Sequence, residues 1–301
     1  MSPRAWLPSY LLLALIWGFS FFFIKVGLES FTPIGIAAGR IGLGFATLVV
    51  LAVILRTPLP PRWAWKYLLV TSLLWVSIPW MLFGYGETQV SSALAGIINA
   101  ATPLMTLLAI LIAFPEERPT RERIAGLALG FFGIVVVVGW GSMSASPLGV
   151  IALIGAITCY GVAFPFARRY LTGPSAREPI APVALSLGLM VGGLIVTLPL
   201  ALLTGFTRGQ APEAGPIAAV AALGILGSGL AYVLNIRVTQ RADATTASTV
   251  TYLTPLVAVL AGALLLGEQI TWNEPVGGVI VVIGAAIAQG VLRLGRRRAT
   301  P

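Results

Sequence analysis

Ala101-Thr102-Pro103-Leu104 opens an apolar run that leads to Glu116, and Leu253-Thr254-Pro255-Leu256 opens a second that leads to Glu268. Both read Pro-Leu-x-x-x-Leu-x-x-x-x-x-x-x-Glu, so residues 94–114 correspond to residues 246–266. A Thr-Gln pair precedes each run with a one-residue slip, Thr88-Gln89 and Thr239-Gln240. Further upstream, Trp17-Gly18-x-x-Phe21-x-x-x-Lys25 matches Tyr160-Gly161-x-x-Phe164-x-x-x-Arg168. The chain therefore reads as a duplication, with residues 1–143 and 144–301 as two versions of one unit within a single membrane domain.

Composition says where such a unit can exist. Apolar residues make up 57% of the chain and charged residues 10%, and mean hydropathy is +0.95. A soluble domain carries about 25% charged residues, so lipid must solvate most of this surface. A membrane span needs roughly 17–25 apolar residues. Ten stretches qualify: 8–26, 33–55, 65–85, 90–114, 124–140, 148–167, 180–204, 216–238, 245–266 and 276–292. The first is read as a retained helix rather than a signal peptide, because Lys25, Glu29 and Pro33 follow it in place of a small-residue cleavage pattern.

Basic residues set the orientation. Sixteen of the 19 Lys and Arg residues fall in the N-terminal segment and in every second loop, ending with Arg296, Arg297 and Arg298. Lys25 and Arg208 alone lie on the opposite side, and Arg40 lies within a span. This split predicts an all-α integral membrane protein of ten transmembrane helices with both termini cytoplasmic. The net charge of +9 is thereby topological and does not indicate nucleic acid. Five helices per half, an odd number, turn the second half upside down relative to the first. Inverted repeats of this kind are a common plan for secondary transporters, with the substrate site between the repeats.

Helical spacing picks out candidate cavity walls. Ser92, Gly96, Asn99, Pro103 and Thr106 share one face of span four. Ser248, Tyr252 and Pro255, with Thr251 alongside, do so in span nine, and Ser228, Tyr232, Asn235 and Thr239 in span eight. Trp17, Ser20, Phe21 and Ile24 form a stripe in span one; Tyr160, Ala163 and Phe164 do in span six; Ser77, Trp80 and Gly84 do in span three. Intramembrane Ser and Thr often serve as interhelical glue, but each Asn amide needs several partners in a low dielectric. Aromatic faces beside amides suit a flat, amphipathic ligand.

Pro103 and Pro255 are expected hinges. Each lacks the N–H that would bond the carbonyl four residues earlier, which frees the Asn99 and Thr251 carbonyls for a substrate ammonium group. Arg40 lies about 10 Å from its span end at 1.5 Å per residue. It has two readings: pairing with Glu87 or Glu29 (or snorkelling), and binding a substrate carboxylate. The pairs Gly35/Gly39, Gly126/Gly130 and Gly188/Gly192 mark close helix packing, with a dimer face on span five or ten as an alternative. Trp6, Trp63, Trp65, Trp140 and Trp272 fall near span ends and read as interfacial anchors.

Taken together, the Trp-Gly of span one, Arg40 in span two, the repeated proline–glutamate run and the glycine-bearing span five resemble the ten-helix EamA-type exporters of the drug/metabolite transporter superfamily. Within it, the chain is most similar to aromatic amino acid exporters of the bacterial inner membrane. The resemblance implies a multi-pass inner-membrane protein with a central cavity lined mainly by helices 1, 3, 4, 6, 8 and 9. It also implies an exporter of small amphipathic metabolites, with amino acids of aromatic preference as the expected cargo and hydrophobic cationic drugs or another metabolite as the alternative. The candidate substrate-binding residues are Trp17, Phe21, Ser77, Trp80, Asn99, Tyr160, Phe164, Tyr232, Asn235, Thr251 and Tyr252.

Other classes fit poorly. A membrane enzyme would need clustered acids, bases or metal ligands, yet the chain has no His, one Asp (Asp243) and one Cys (Cys159). No catalytic residue, cofactor or metal site is expected, and no disulfide is possible. There is no G-x-x-x-x-G-K-[ST] run for ATP. A channel would need a continuous polar path. The expected partners are a small-molecule substrate and the lipid bilayer, with no obligate protein partner. All ten acids are assigned to span ends or loops, so transport without obligatory proton coupling is expected.

Overall fold

Proline and the residue before it start several of the helices. Thr32 is extended and its Oγ1 accepts from the Gly35 N–H at 3.0 Å, with Pro33 as the first helical residue. Pro147 and Pro182 open two more helices after an extended or near-extended residue. The structure, a computed structural model, describes residues 6–113, 120–139, 146–172, 176–241, 249–288 and 290–292. Among these residues the fold is all-helical, with no β-strand and one isolated bridge between Phe31 and Thr207.

Seven helical segments are long and apolar enough to cross a membrane: α1 (Leu7–Gly27), α2 (Pro33–Ile54), α3 (Arg62–Glu87), α4 (Ser92–Ile112), α6 (Pro147–Thr172), α7 (Pro182–Thr204) and α8 (Ala214–Asn235). Between and after them lie α5 (Arg121–Gly139) and the shorter apolar segments α9 (Val250–Leu265) and α10 (Asn273–Ala288). Exposed Leu, Ile and Val residues along these helices, such as Val53, Leu203 and Leu264, are what a lipid-facing surface requires.

Packing follows a rule. α2 lies on α7 and α8, and α7 also lies on α3. α6 lies on α3 and α4, whereas α1 lies on α8 and α9. α4 pairs with α9, and α5 pairs with α10. Exchanging each helix with the one five places away leaves these pairings unchanged.

Glycines set the tightest approaches. Gly126 abuts the backbone of Gly284 and Ala288, and Gly133 abuts that of Gly277 and Val281. Gly126 and Gly133 of α5, like Gly277 and Gly284 of α10, are seven residues apart, and the order of contacts shows the pair to be antiparallel. α2 and α7 also run antiparallel, with Gly35 on Phe206 and Ile41 on Gly193. So do α4 and α9, with Gly96 on Ala258 and Ser92 beside Gly262. Gly39 packs on Val220, Gly130 on Leu104, Gly188 on Leu68 and Gly192 on Ser72. All three small-residue pairs are thus spent within the chain. The face of α5 that carries Gly126 and Gly133 is covered by α10.

Besides a 3-10 turn at Arg62–Ala64 and a π turn at Arg168–Thr172, four segments depart from α geometry. A π-helical turn occupies Leu73–Ser77 in α3, and another occupies Leu223–Leu230 in α8. α4 is interrupted at Ala100 and Ala101, before Pro103. The start of α9 is a 3-10 turn, Thr249–Tyr252, before Pro255. The four fall in two pairs, α3 with α8 and α4 with α9, and bear directly on the site.

Candidate functional site

One cavity of about 670 Å³ lies among α1, α2, α3, α4, α6, α8 and α9. α1 contributes Trp17, Ser20, Phe21 and Ile24, one unbroken helical stripe. α6 contributes Tyr160, Phe164 and Thr172. Gly18 and Gly161 turn away from the cavity and let each helix press on the proline-bearing helix of the other half. Gly18 meets Val257, two residues past Pro255, and Gly161 meets Met105, two residues past Pro103.

α3 presents Trp75, Trp80 and Phe83. Ser77, a predicted site residue, is not in the wall: it is fully buried and its hydroxyl has no hydrogen-bond partner. The π turn explains this. An extra residue in the turn brings position i−5 from Trp80, which is Trp75, to the place where an α-helix would carry position i−4, and turns Ser77, at i−3, off the face. α8 repeats the effect. Tyr232 and Asn235 line the cavity, and Gly227, five residues before Tyr232, joins them. Ser228, on the expected stripe, is buried instead. Thr239 and Ser248 have side chains outside the described residues.

α4 presents Asn99, Thr102, Pro103 and Thr106. Its outer positions Ser92 and Gly96 are consumed by packing on α9. α9 presents Val250, Thr251 and Thr254. Tyr252, another predicted site residue, does not line the cavity but packs against the hydrophobic core, and Pro255 is buried behind it. The 3-10 turn accounts for both, since at about three residues per turn Thr251 and Thr254 share a face and Tyr252 is rotated off it.

The Asn99 and Thr251 carbonyls are not idle. Thr102 Oγ1 donates to Asn99 O at 2.7 Å, and Thr254 Oγ1 donates to Thr251 O at 2.9 Å. The threonine before each proline supplies the hydrogen that the proline lacks. The expectation that these oxygens wait for a substrate ammonium group is corrected accordingly.

Aromatic rings dominate the wall. Trp80 Nε1 donates to Tyr160 Oη at 3.0 Å, and Trp17 Nε1 donates to Gly227 O at 3.3 Å. Trp75 meets Phe164 edge-on at 4.6 Å between centroids. The guanidinium of Arg40 lies 3.9 Å from the Trp80 ring centroid, and its Nε donates to Ser228 Oγ at 3.1 Å. The pairing of Arg40 with Glu87 or Glu29 is not formed. Lys25 sits beside Glu87 instead, its Nζ donating to the Glu87 and Val90 carbonyls at 2.7 and 2.8 Å. A cation is favoured there because the last carbonyls of a helix lack partners.

The two ends of the cavity differ. Its lining reaches Thr172 and Val250, at the ends of α6 and α9, the side of the chain that carries Arg168, Arg169, Arg177 and Arg241. At the opposite end Glu268 is docked on the first turn of α4. Its Oε1 accepts from Ser92 N at 2.8 Å, and its Oε2 accepts from Ser92 Oγ at 3.0 Å and Ala93 N at 3.1 Å. Gly262 leaves the room for that carboxylate. The matching Glu116 lies outside the described residues.

A helical membrane scaffold enclosing one amphipathic cavity defines a small-molecule transporter, and the comparisons agree. The profile of the EamA-like transporter family matches residues 4–139 and 147–289, and the chain belongs to that family. An uncharacterized transporter of Archaeoglobus fulgidus is 28% identical over 93% of this chain and 98% of its own length. The uncharacterized inner membrane transporter YedA of Escherichia coli K12 is 26% identical over 92% of this chain and 89% of its own. A "probable terminal-alkyne amino-acid exporter" of Streptantibioticus cattleyicolor is 26% identical over 99% and 97%. A solved crystal structure superimposes with a TM-score of 0.64 at 18% identity, over 95% of this chain and 96% of that one. The family and these relatives are transporters rather than enzymes, which implies a membrane setting and a small-molecule substrate.

Proposed function

We infer that the protein is an inner-membrane secondary transporter that exports small amphipathic metabolites, with aromatic amino acids as its preferred cargo, by alternating access through the cavity of about 670 Å³. The cavity carries this reading: its volume is in the range of small-molecule sites, and its wall pairs tryptophan and tyrosine faces with two asparagine amides. The inner-membrane relative YedA and the amino-acid exporter of Streptantibioticus cattleyicolor support the location and the cargo class.

Ten spans in two inverted halves, with cytoplasmic termini, complete the reading. The two stretches matched by the family profile, the exchangeable helix pairings and the three antiparallel pairs α2/α7, α4/α9 and α5/α10 support it. With the arginine-rich loops in the cytoplasm, the cavity faces inward and the Glu268 contact closes the outer side.

The test is transport by the purified protein in liposomes against labelled aromatic amino acids, aliphatic amino acids and hydrophobic organic cations. Saturable flux that prefers the aromatic amino acids is expected. Trp17→Ala should weaken it by about 2- to 12-fold, from a ring contact worth roughly 0.5–1.5 kcal/mol. Flux restricted to the organic cations would overturn the cargo assignment.

A further inference from the structure

Arg40 is the one charged side chain among the residues lining the cavity. It is held from two sides. Its Nε–H donates to Ser228 Oγ on α8, and its guanidinium plane stacks on Trp80 of α3. Ser228 is itself buried, and its hydroxyl also lies 3.4 Å from Leu223 O within the π turn. A guanidinium carries five N–H donors. Among the described residues only the Nε–H is engaged, so the terminal nitrogens have no hydrogen-bond acceptor from the protein.

A permanent cation in an apolar cavity is costly unless an anion or water meets it. The wall holds no Asp or Glu among the described residues. The nearby Glu87 is buried, and its carboxylate oxygens make no hydrogen bond to Arg40 or to any other described group. A planar fork already oriented by stacking, with its terminal donors unspent, matches a carboxylate, which it can bind with two parallel bonds. The same positive charge repels a cationic ligand at close range.

We propose that Arg40 is the anion anchor of the cavity, so that the cargo is a flat or aromatic carboxylate, free or zwitterionic. Organic cations without an anionic group are then excluded. The proposal rests on the transport reading for its biological meaning, but anchoring is a binding property and is tested without transport.

Three ligands of one shape separate the possibilities: 3-phenylpropionate, phenylalanine and phenethylamine. Ligand-dependent rises in Tm of the purified full-length protein would be titrated for the unaltered chain, Arg40→Lys and Arg40→Gln. The two carboxylates should stabilise the unaltered protein, and phenethylamine should not. Arg40→Gln should weaken carboxylate binding about 10- to 100-fold, the scale of a charged hydrogen bond, while admitting phenethylamine. Arg40→Lys keeps the charge without the fork and should fall between.

A merely structural arginine would not produce this reversal of preference. Phenethylamine stabilising the unaltered protein as strongly as 3-phenylpropionate would overturn the proposal. So would an equal loss for all three ligands in Arg40→Gln, or binding of none of them to the unaltered protein. Should Arg40→Gln fail to fold, the ligand comparison on the unaltered protein and Arg40→Lys still decides. Failure of the transport reading looks different: carboxylate-selective binding with no flux across liposomes.

Discussion

α5 and α10 meet backbone to backbone, whereas α4 and α9, beyond the close Gly96–Ala258 approach, are joined by polar groups that can change partners. In the first pair, Gly126, Gly133, Gly277 and Gly284 bring the chains so close that a Cβ at any of them would fall on the facing helix. Asn273 Nδ2 adds a buried bond to Val137 O at 2.7 Å. Dispersion over such a surface is lost within a fraction of an ångström of separation, so the pair is built to stay together. In the second pair, both helices are broken before a proline, and a carboxylate from beyond the end of α9 docks on the first turn of α4. Water can replace each of those polar contacts. On the alternating-access reading, the difference makes α5/α10 the rigid pair and α4/α9 the moving one.

The largest effect is expected at the rigid pair. Gly284→Leu drives a side chain into the Gly130 backbone, and neither helix can yield without parting from the other. Overpacking of even one methylene costs about 1–3 kcal/mol in a tight core, so the variant should give no folded, monodisperse protein. Gly215→Leu is the control, since nothing lies within 4 Å of a Cβ there. Size-exclusion yield and Tm measure both. Normal yield for Gly284→Leu would mean that α5 and α10 are not rigidly paired.

At the moving pair, Glu268→Gln should leave folding intact and shift the balance of states. The carboxylate accepts three bonds from Ser92 and Ala93 at a helix N-terminus, where negative charge is favoured. Charged hydrogen bonds contribute about 1.5–3 kcal/mol each, so losing the charge should populate the outward-open state roughly tenfold or more. Spin labels at the exposed Gln89 and Gln269 would report it as a longer distance across the outer mouth. An unchanged distribution would reduce Glu268 to an ordinary helix cap.

Much of this contrast was written in the chain before any coordinates. The helical segments and the Trp17/Phe21 and Tyr160/Phe164 stripes follow from spacing, because α1 and the central part of α6 are regular helices. Spacing failed where helices are irregular. Spacing alone omits Trp75 and Gly227 and includes Ser77, because a π turn shifts the face by one residue. Tyr252 was misplaced by the 3-10 turn. The proline two or three residues beyond each candidate was the warning that α periodicity stops there. Thr102 and Thr254 were legible in hindsight, since each stands directly before the proline whose missing N–H it replaces. The docking of Glu268 on α4 joins residues 176 positions apart, and periodicity within a helix carries no information on such a contact.

A smaller effect belongs to the prolines. Pro103→Ala and Pro255→Ala each restore an N–H for a carbonyl that a threonine hydroxyl already satisfies. The gain is one backbone hydrogen bond less one side-chain bond, a difference below the roughly 0.5–1.5 kcal/mol of a whole bond. Each variant should therefore bias the states by only a few-fold. The bias should be opposite for the two, because Pro103 stiffens one half and Pro255 the other. Distances across the inner and outer mouths would show it, and identical shifts in both variants would remove the idea of paired hinges. Thr102→Val with Pro103→Ala removes the hydroxyl that competes and should enlarge the Pro103→Ala bias.

The smallest expected effect is none. A carrier that couples to protons needs a titrating group whose access alternates with that of the substrate. Among the described residues, no Asp or Glu lines the cavity. Glu268 is committed to the outer contact, and Glu87 is buried at the outer end of α3, away from the lining. Protonation of either would act on closure and not on cargo, so it can change how fast the states exchange without storing work in a gradient. Liposomes with equal substrate on both sides should therefore show no net accumulation when a pH gradient is imposed. Sustained accumulation driven by the gradient would sink this reading. Its loss in Glu87→Gln, with binding of substrate retained, would then identify Glu87 as the coupling carboxylate.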